Sequence, residues 1–386
     1  MEKIKAKKIL TAALILAAGV IFLIWSALFD WDKINTYQAY DVGSIVYTKG
    51  TVTKVLDNEV GKDPLAPGRM LGTQRLKVRL TEGRYKGDEI EVDNILSQLH
   101  NVYAAEGSRI IVCVDRPENV EPYYTVYNYD REPILAAMVI LFALVMFLVG
   151  KKKGIRAFLG LAYTLGLVLF FTIPALYHGF SPYIVSIATI LVSTVMSLVL
   201  LNGVSKRSAC GMIATTLGTL SVGLLMIIFG RLLHVSGFNT TDADSLVLVN
   251  QATGMSLYRL LFAIVLISAL GAVMDVAVSL TASLDELIAV DPEMGPASLI
   301  KSGMNIGKDM IGTMSNTLIL AFAGSGMTML LSLISFGYSL RQFFSSDYLA
   351  IEMAQGICST IGVIISVPIT SAICAWLLIR QKRENE

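Results

Sequence analysis

The stretch GAVMDVAVSLTASLDEL, residues 271–287, sets a carboxylate, Asp275, in the middle of an apolar and small-residue run. Stepping along a helix by three and four residues from Asp275 reaches Ser268, Gly271, Ser279, Ala282, Ser283 and Glu286, so these side chains share one face. That face is small and polar. Small residues on a membrane helix serve close packing, and a carboxylate at their centre makes the same face a candidate proton or ion site. If the helix leaves the bilayer near Leu284, Asp275 lies about 14 Å deep at 1.5 Å per residue. An ionised Asp at such depth costs at least about 2.5 kcal/mol, so it faces protein or a water-filled cavity, or it is protonated.

A second stretch of the same kind is GPASLIKSGMNIGKDMIGTMSNTLILAFAGSGMTMLL, residues 295–331. Residues 296–311 divide into an apolar side, with Leu299, Ile300, Gly303, Met304, Met310 and Ile311, and a polar side with Lys301, Ser302, Asn305, Lys308 and Asp309. The pattern predicts an amphipathic helix on the cytoplasmic surface. Pro292 and Pro296 mark its start, and Gly307 and Gly312 are expected to bend it into the next span. Further on, Asn316 and Thr317 should lie level with Ser279. Gly324, Ser325 and Gly326 then fall near the midplane, where a broken helix leaves backbone groups available to a ligand. Asp275, Ser279, Asn316 and Thr317 are the primary site candidates. Asp309, Glu286 and the Gly324-Ser325-Gly326 run are secondary, since Asp285 and Glu286 sit at the cytoplasmic exit where charge is ordinarily solvated.

The elements that position these residues follow from composition. Hydrophobic residues make up 54% of the 386, charged residues 16%, and mean hydropathy is +0.64, values that indicate a polytopic helical membrane protein. A net charge of +1 gives no reason to expect a nucleic-acid partner. A span needs about 20 apolar residues. Eight stretches approach this: Ile9 to Phe29, Ile134 to Val149, Ile155 to Ile173, Tyr183 to Leu201, Ala209 to Phe229, Leu257 to Leu284, Met314 to Phe336 and Met353 to Ile379. The first follows the basic MEKIKAKK and reads as a retained signal anchor over 1–29. Lys and Arg concentrate in alternate loops, at Lys151 to Lys153 with Arg156, at Lys206 and Arg207, at Lys301 and Lys308, and at both termini. The positive-inside rule then places both termini in the cytoplasm.

Residues 30–132 form the one large non-membrane segment, placed outside by that sidedness. Alternation in TQRLKVRLT, residues 73–81, marks a half-buried strand. Four more strands are expected at 44–56, 88–94, 108–115 and 122–129, with GRYKG as a turn. Five short strands predict a small β-barrel of OB type. The segment carries 13 Lys plus Arg against 17 Asp plus Glu, which disfavours a polyanion and favours a structural or partner-docking role. Its stretch LDNEVGKDPLAPGRMLG, residues 56–72, reads as a mobile loop. Residues 133–386 make up the remaining seven-span helical domain.

Other spans repeat the small polar face: Ser186, Thr189, Ser193 and Ser197; Gly211, Thr215, Gly218 and Ser221; Gln355, Ser359, Gly362, Ser366 and Thr370. Each alone reads as interhelical glue. Cys113, Cys210, Cys358 and Cys374 form no CxxC or Cys/His cluster, and the histidines are scattered, so no metal or cofactor is expected. An enzyme is not expected either. An intramembrane aspartyl protease needs two facing carboxylates, and a serine hydrolase needs a base within the bilayer.

With GAVMDVAVSLTASLDEL at 271–287 and GKDMIGTMSNTLILAFAG at 307–324, the chain resembles the YibE/F-like family of bacterial multipass membrane proteins. The order anchor, external β domain, helix bundle is similar too. Where that family commonly carries Arg before the Asp, this chain has Lys308, which keeps the charge without a bidentate fork. A looser likeness to one half of a SecD/SecF or RND-type protein implies a membrane Asp that couples proton flow to external work, although two extra spans depart from that plan. The expected function is proton- or ion-coupled transport or export around Asp275, with the bilayer and a small solute or ion as partners. The alternative is an assembly scaffold whose external domain docks a protein.

Overall fold

A computed structural model of the protein describes residues 45–117, 120–237, 246–247, 250–251 and 254–383. The expected anchor over 1–29 lies outside the described residues. The described chain falls into two compact units, one within 35–145 and one formed by the residues from 146 onward.

The first unit is a closed five-stranded barrel with neighbours in the order β1-β2-β3-β5-β4. Its strands are β1 (Ile45–Lys62), β2 (Met70–Leu80), β3 (Glu89–Leu96), β4 (Arg109–Asp115) and β5 (Tyr123–Tyr129), so all five expected strands are present. Period-two alternation places Leu76, Val78, Leu80, Ile90, Val92, Ile110, Val112 and Val114 inside, as side chains alternate across a pleated strand. Two polar residues share this interior and satisfy each other. Asn94 donates to the Gln74 side chain at 2.9 Å and to the Val102 carbonyl at 2.7 Å, while Gln74 donates to the Ala104 carbonyl and accepts from the Ala104 N–H at 3.0 Å.

The expected mobile loop at 56–72 is instead a two-stranded arm. Strands β1 and β2 stay paired as far as Lys62 and Met70, and only the tip turns, closed by a hydrogen-bonded ion pair between Asp63 and Arg69. Gly72 is required there. Its φ is +130°, and a Cβ would fall 2.1 Å from the Glu59 carbonyl oxygen, a conformation and a gap that only glycine fits.

The other elements are helical: α1 (Glu132–Leu167), whose residues up to Val145 fall in the first unit, and, in the second unit, a π turn (Val168–Thr172), α2 (Ile173–Tyr177), α3 (Pro182–Asn202), α4 (Lys206–Leu232), α5 (Leu257–Val290), α6 (Pro296–Ser325), α7 (Met327–Ser335), α8 (Leu340–Phe344) and α9 (Asp347–Arg383). Among the described residues, five helical stretches are long and apolar enough to cross a membrane, and six if the bent pair α6 and α7 counts as one. Two of the expected spans, 134–149 and 155–173, lie in the single stretch Glu132–Tyr177. That stretch is not one straight helix. Lys151 has φ 48° and ψ −131°, and a Cβ on Gly154 would fall 1.9 Å from the Met146 carbonyl oxygen. Eight residues of α-helix would separate those positions by about 12 Å, so the chain doubles back at Lys151.

The bundle core is built from α3, α4, α5 and α9 around Val222, Leu266, Leu270, Val273, Val276, Leu280, Val363 and Val367. Glycines let the helices approach. A Cβ on Gly218 would meet Val273 at 2.7 Å, and one on Gly362 would meet Val222 at 2.0 Å. The expected bend at Gly307 and Gly312 into the next span is not there. Helix α6 runs unbroken from Pro296 to Ser325, with Gly303 and Gly307 buried against Ser371 and Val367 of α9. The break comes later, at Gly326, where α6 and α7 meet at 55°.

Candidate functional site

Helix α5 is buried along Leu261, Val265, Ala269, Val273, Val276, Leu280 and Leu284. On the other side Ser268, Gly271, Asp275, Ser279 and Glu286 are exposed, forming one stripe at helical spacing. Beside Gly271 no atom lies within 4 Å of a built Cβ. Ser268 turns its hydroxyl to the Val265 carbonyl, and Ser283 donates to the Ser279 carbonyl. The Asp275 carboxylate has no hydrogen bond or ion pair within the described residues. The face the sequence singled out is therefore open, whereas a deep carboxylate was expected to face protein or water.

The other candidates do not gather around Asp275. Helices α5 and α6 meet near Leu284 and Gly303. Asn316 is exposed on α6, and Thr317, also exposed, donates to the Thr313 carbonyl of its own helix at 2.9 Å. No hydrogen bond among the described residues joins either to Asp275 or Ser279. Asp309 and Lys308 are exposed on the same helix. Glu286 is exposed at the end of α5, while its neighbour Asp285 faces Arg207 at 3.9 Å in a cleft of about 540 Å³ with Ser205, Lys206 and Leu378. Asp285 keeps 42% of its side chain exposed, so its charge stays in contact with solvent beside the guanidinium.

The remaining polar stripes are buried at helix contacts. Thr189 of α3 meets the Thr172 hydroxyl at 2.7 Å, and Ser193 meets Thr164 at 2.8 Å. Ser366 of α9 packs beside Gly218 of α4. These groups hold helices together, as interhelical hydroxyls do in membranes.

Gly324, Ser325 and Gly326 do mark a break, and here the structure brings in residues that the sequence reading passed over. Ser325 donates to the Phe322 carbonyl at 2.8 Å. Gly326 is buried, and its Cβ position lies 3.2 Å from the Tyr348 hydroxyl and 3.8 Å from the Glu352 Cγ. Glu352 is inside α9 rather than ahead of it. Its Oε2 is shut off from solvent and has no hydrogen-bond partner. A signal was present: Glu352, Gln355, Ser359, Gly362, Ser366 and Thr370 form one continuous stripe, and only the span boundary drawn at Met353 cut the carboxylate from it.

In the barrel, these charges are paired. The Leu65 N–H and the Arg69 guanidinium hold the Asp63 carboxyl below its ordinary range, and Arg79 and Lys77 do the same for Glu89. Lys49 bridges Glu132 and Glu82, which push its ammonium pKa up.

The family model described as YibE/F-like protein matches residues 138–380, which hold the helices and leave the barrel strands outside. No curated protein and no solved structure matches the chain.

Proposed function

The chain belongs to the YibE/F-like family, and from that premise we propose that it is an integral membrane protein of transporter-like character, moving protons or ions through a site around Asp275. The observation that carries this reading is the open stripe Ser268, Gly271, Asp275, Ser279 on a helix of membrane-crossing length. Hydrocarbon cannot cover an ionised carboxylate at acceptable cost. Water in a hydrated path, or a proton taken up and released, removes that cost, and both are what coupled transport uses. Asp275 is the group that exchanges the proton, with Ser279 one turn along the same open face of α5.

The topology belongs to the same proposal. The reversal at Lys151 supports two spans in Glu132–Tyr177; with the run 9–29 the total is eight, both termini are cytoplasmic, and the barrel lies outside the plasma membrane. The strand order β1-β2-β3-β5-β4 supports the OB-type reading of that barrel.

A second reading, a non-catalytic assembly protein with a docking external domain, is favoured by the make-up of the same stripe, because small residues flanking a polar one are the pattern of helix interfaces. Reconstitution separates the two. Asp275→Asn abolishes coupled flux at unchanged folded yield if the first reading holds, and lowers folded yield or assembly without any flux to lose if the second does.

A further inference from the structure

Polar stripes stand open on two successive helices. The stripe on α5 is Ser268, Gly271, Asp275, Ser279 and Glu286; that on α6, at helical spacing opposite the side packed on α9, is Lys301, Asn305, Lys308, Gly312 and Asn316, and all ten residues are exposed. Among the described residues no hydrogen bond or ion pair engages the side chain of Asp275, Glu286, Lys301, Lys308 or Asn316. Each stripe also has a glycine in mid-helix, and a Cβ on Gly271 or Gly312 would meet no atom within 4 Å. Glycine weakens a helix interior relative to alanine. Gly218, Gly303, Gly307 and Gly362 each admit a close neighbour; Gly271 and Gly312 admit none from the described chain.

Depth connects the two stripes. A Cβ on Gly303 would meet the Leu284 Cδ1 at 3.3 Å, which sets these antiparallel helices level there. Counting away from that contact by equal steps puts Glu286 level with Lys301, Asp275 with Gly312, and Gly271 with Asn316. Side chains lean toward the N-terminus of their own helix, so those of Asp275 and Asn316 lean toward each other's level. Copies inserted in the same direction are related by rotation about the membrane normal, which keeps every residue at its depth. The α5 stripe of one copy and the α6 stripe of the next are then complementary: acid against base at Glu286 and Lys301, and a glycine opposite the larger side chain at the levels of Asp275 and Asn316. Hydrocarbon offers Asp275 no donor, and the apolar run 9–29 of this chain contains no charged or amide side chain.

We infer that a second copy of this chain docks on the α5 stripe through its α6 stripe, its Asn316 donating to the Asp275 carboxylate and its Lys301 pairing with Glu286. Close approach of the two helices is what Gly271 and Gly312 provide, as small residues do between membrane helices. The docking goes beyond the transport reading and does not depend on it, because the contacts are the same whether or not Asp275 exchanges a proton.

Disulfide cross-linking between two differently tagged full-length chains tests the assignment. One chain carries Ser268→Cys and the other Ile319→Cys, positions that are level by the same count and leave the charges and glycines of both stripes in place; the two are co-expressed and oxidised in their membranes with copper phenanthroline. The expected result is a disulfide joining the two tags above the background of the four native cysteines, with at least fivefold less when Ile319→Cys is replaced by Asn305→Cys, which lies about 21 Å away along α6 at 1.5 Å per residue. Gly271→Leu and Gly312→Leu should each lower the cross-link at least fivefold at unchanged folded yield, since neither position meets a neighbour within the described chain. No flux is read, so failure of the coupling role leaves this result standing. Absence of the disulfide between tags, an equal yield from the Asn305→Cys pairing, or a cross-link that both leucines leave untouched overturns the inference. A Ser268→Cys disulfide formed instead within one chain, to a cysteine scanned through residues 13–20, would give the α5 face to the chain's own apolar run and overturns it as well.

Discussion

Gly362 of α9 lies against Val222 of α4 so closely that a Cβ on the glycine would fall 2.0 Å from the valine Cγ2. The valine is β-branched and has few rotamers to retreat into. Gly362→Ala should therefore destabilise the bundle by about 1–3 kcal/mol through overpacking. Val222→Ala should recover much of that loss when combined with it, which thermal unfolding of the two single variants and the double variant will measure.

Thr189 and Thr172 exchange a hydroxyl hydrogen bond at 2.7 Å between α3 and the π turn. Removing one partner by Thr189→Val should cost about 0.6 kcal/mol, the average for interhelical hydrogen bonds in a membrane protein. Flux should stay unchanged if these stripes are glue. A flux defect at full stability would move α3 into the pathway.

Inside the barrel, Gln74→Leu leaves the Ala104 N–H without its acceptor and takes away one partner of the Asn94 amide. The cost should be about 1–3 kcal/mol, the penalty for an orphaned buried donor. Hydrogen exchange at Ala104 in the full-length protein reads this directly, with faster exchange than wild type as the expected outcome.

The barrel should also weaken in acid. The carboxyls of Asp63 and Glu89 are depressed when folded, so their contribution is fully present above the unfolded carboxylate values and is lost as pH falls through the lower folded ones. Lys49 acts in the opposite sense, its stabilisation fully present below the unfolded lysine value and lost as pH rises through the higher folded one. Glu89→Gln should therefore flatten the acid limb of barrel stability and leave the neutral plateau slightly lower, as followed by tyrosine fluorescence against pH.

The strands were readable because burial on one face imposes a period of two, clear in QRLKVRL. The arm at 56–72 was not, because beyond Leu56 both faces of β1 meet solvent and no alternation is selected. In α6 the glycines were visible but their purpose was not. A bend and a close contact use the same residue, and the partners Ser371 and Val367 are remote in sequence. Asp275 stood out as a charge in an apolar run, yet which way it faces depends on how α5 is rotated in the bundle. Glu352 was hidden by the opposite effect, since a charge near the end of an apolar run pulls the apparent span boundary past itself.

The central claim is that Asp275 exchanges a proton or ion across the membrane. Wild-type protein and Asp275→Asn, reconstituted in liposomes enclosing a pH-sensitive dye, are compared under imposed gradients of a panel of ions and small solutes. The account predicts a gradient-driven pH change in wild-type vesicles that Asp275→Asn abolishes while inserting to the same level. A response of equal size in the Asp275→Asn vesicles would contradict it.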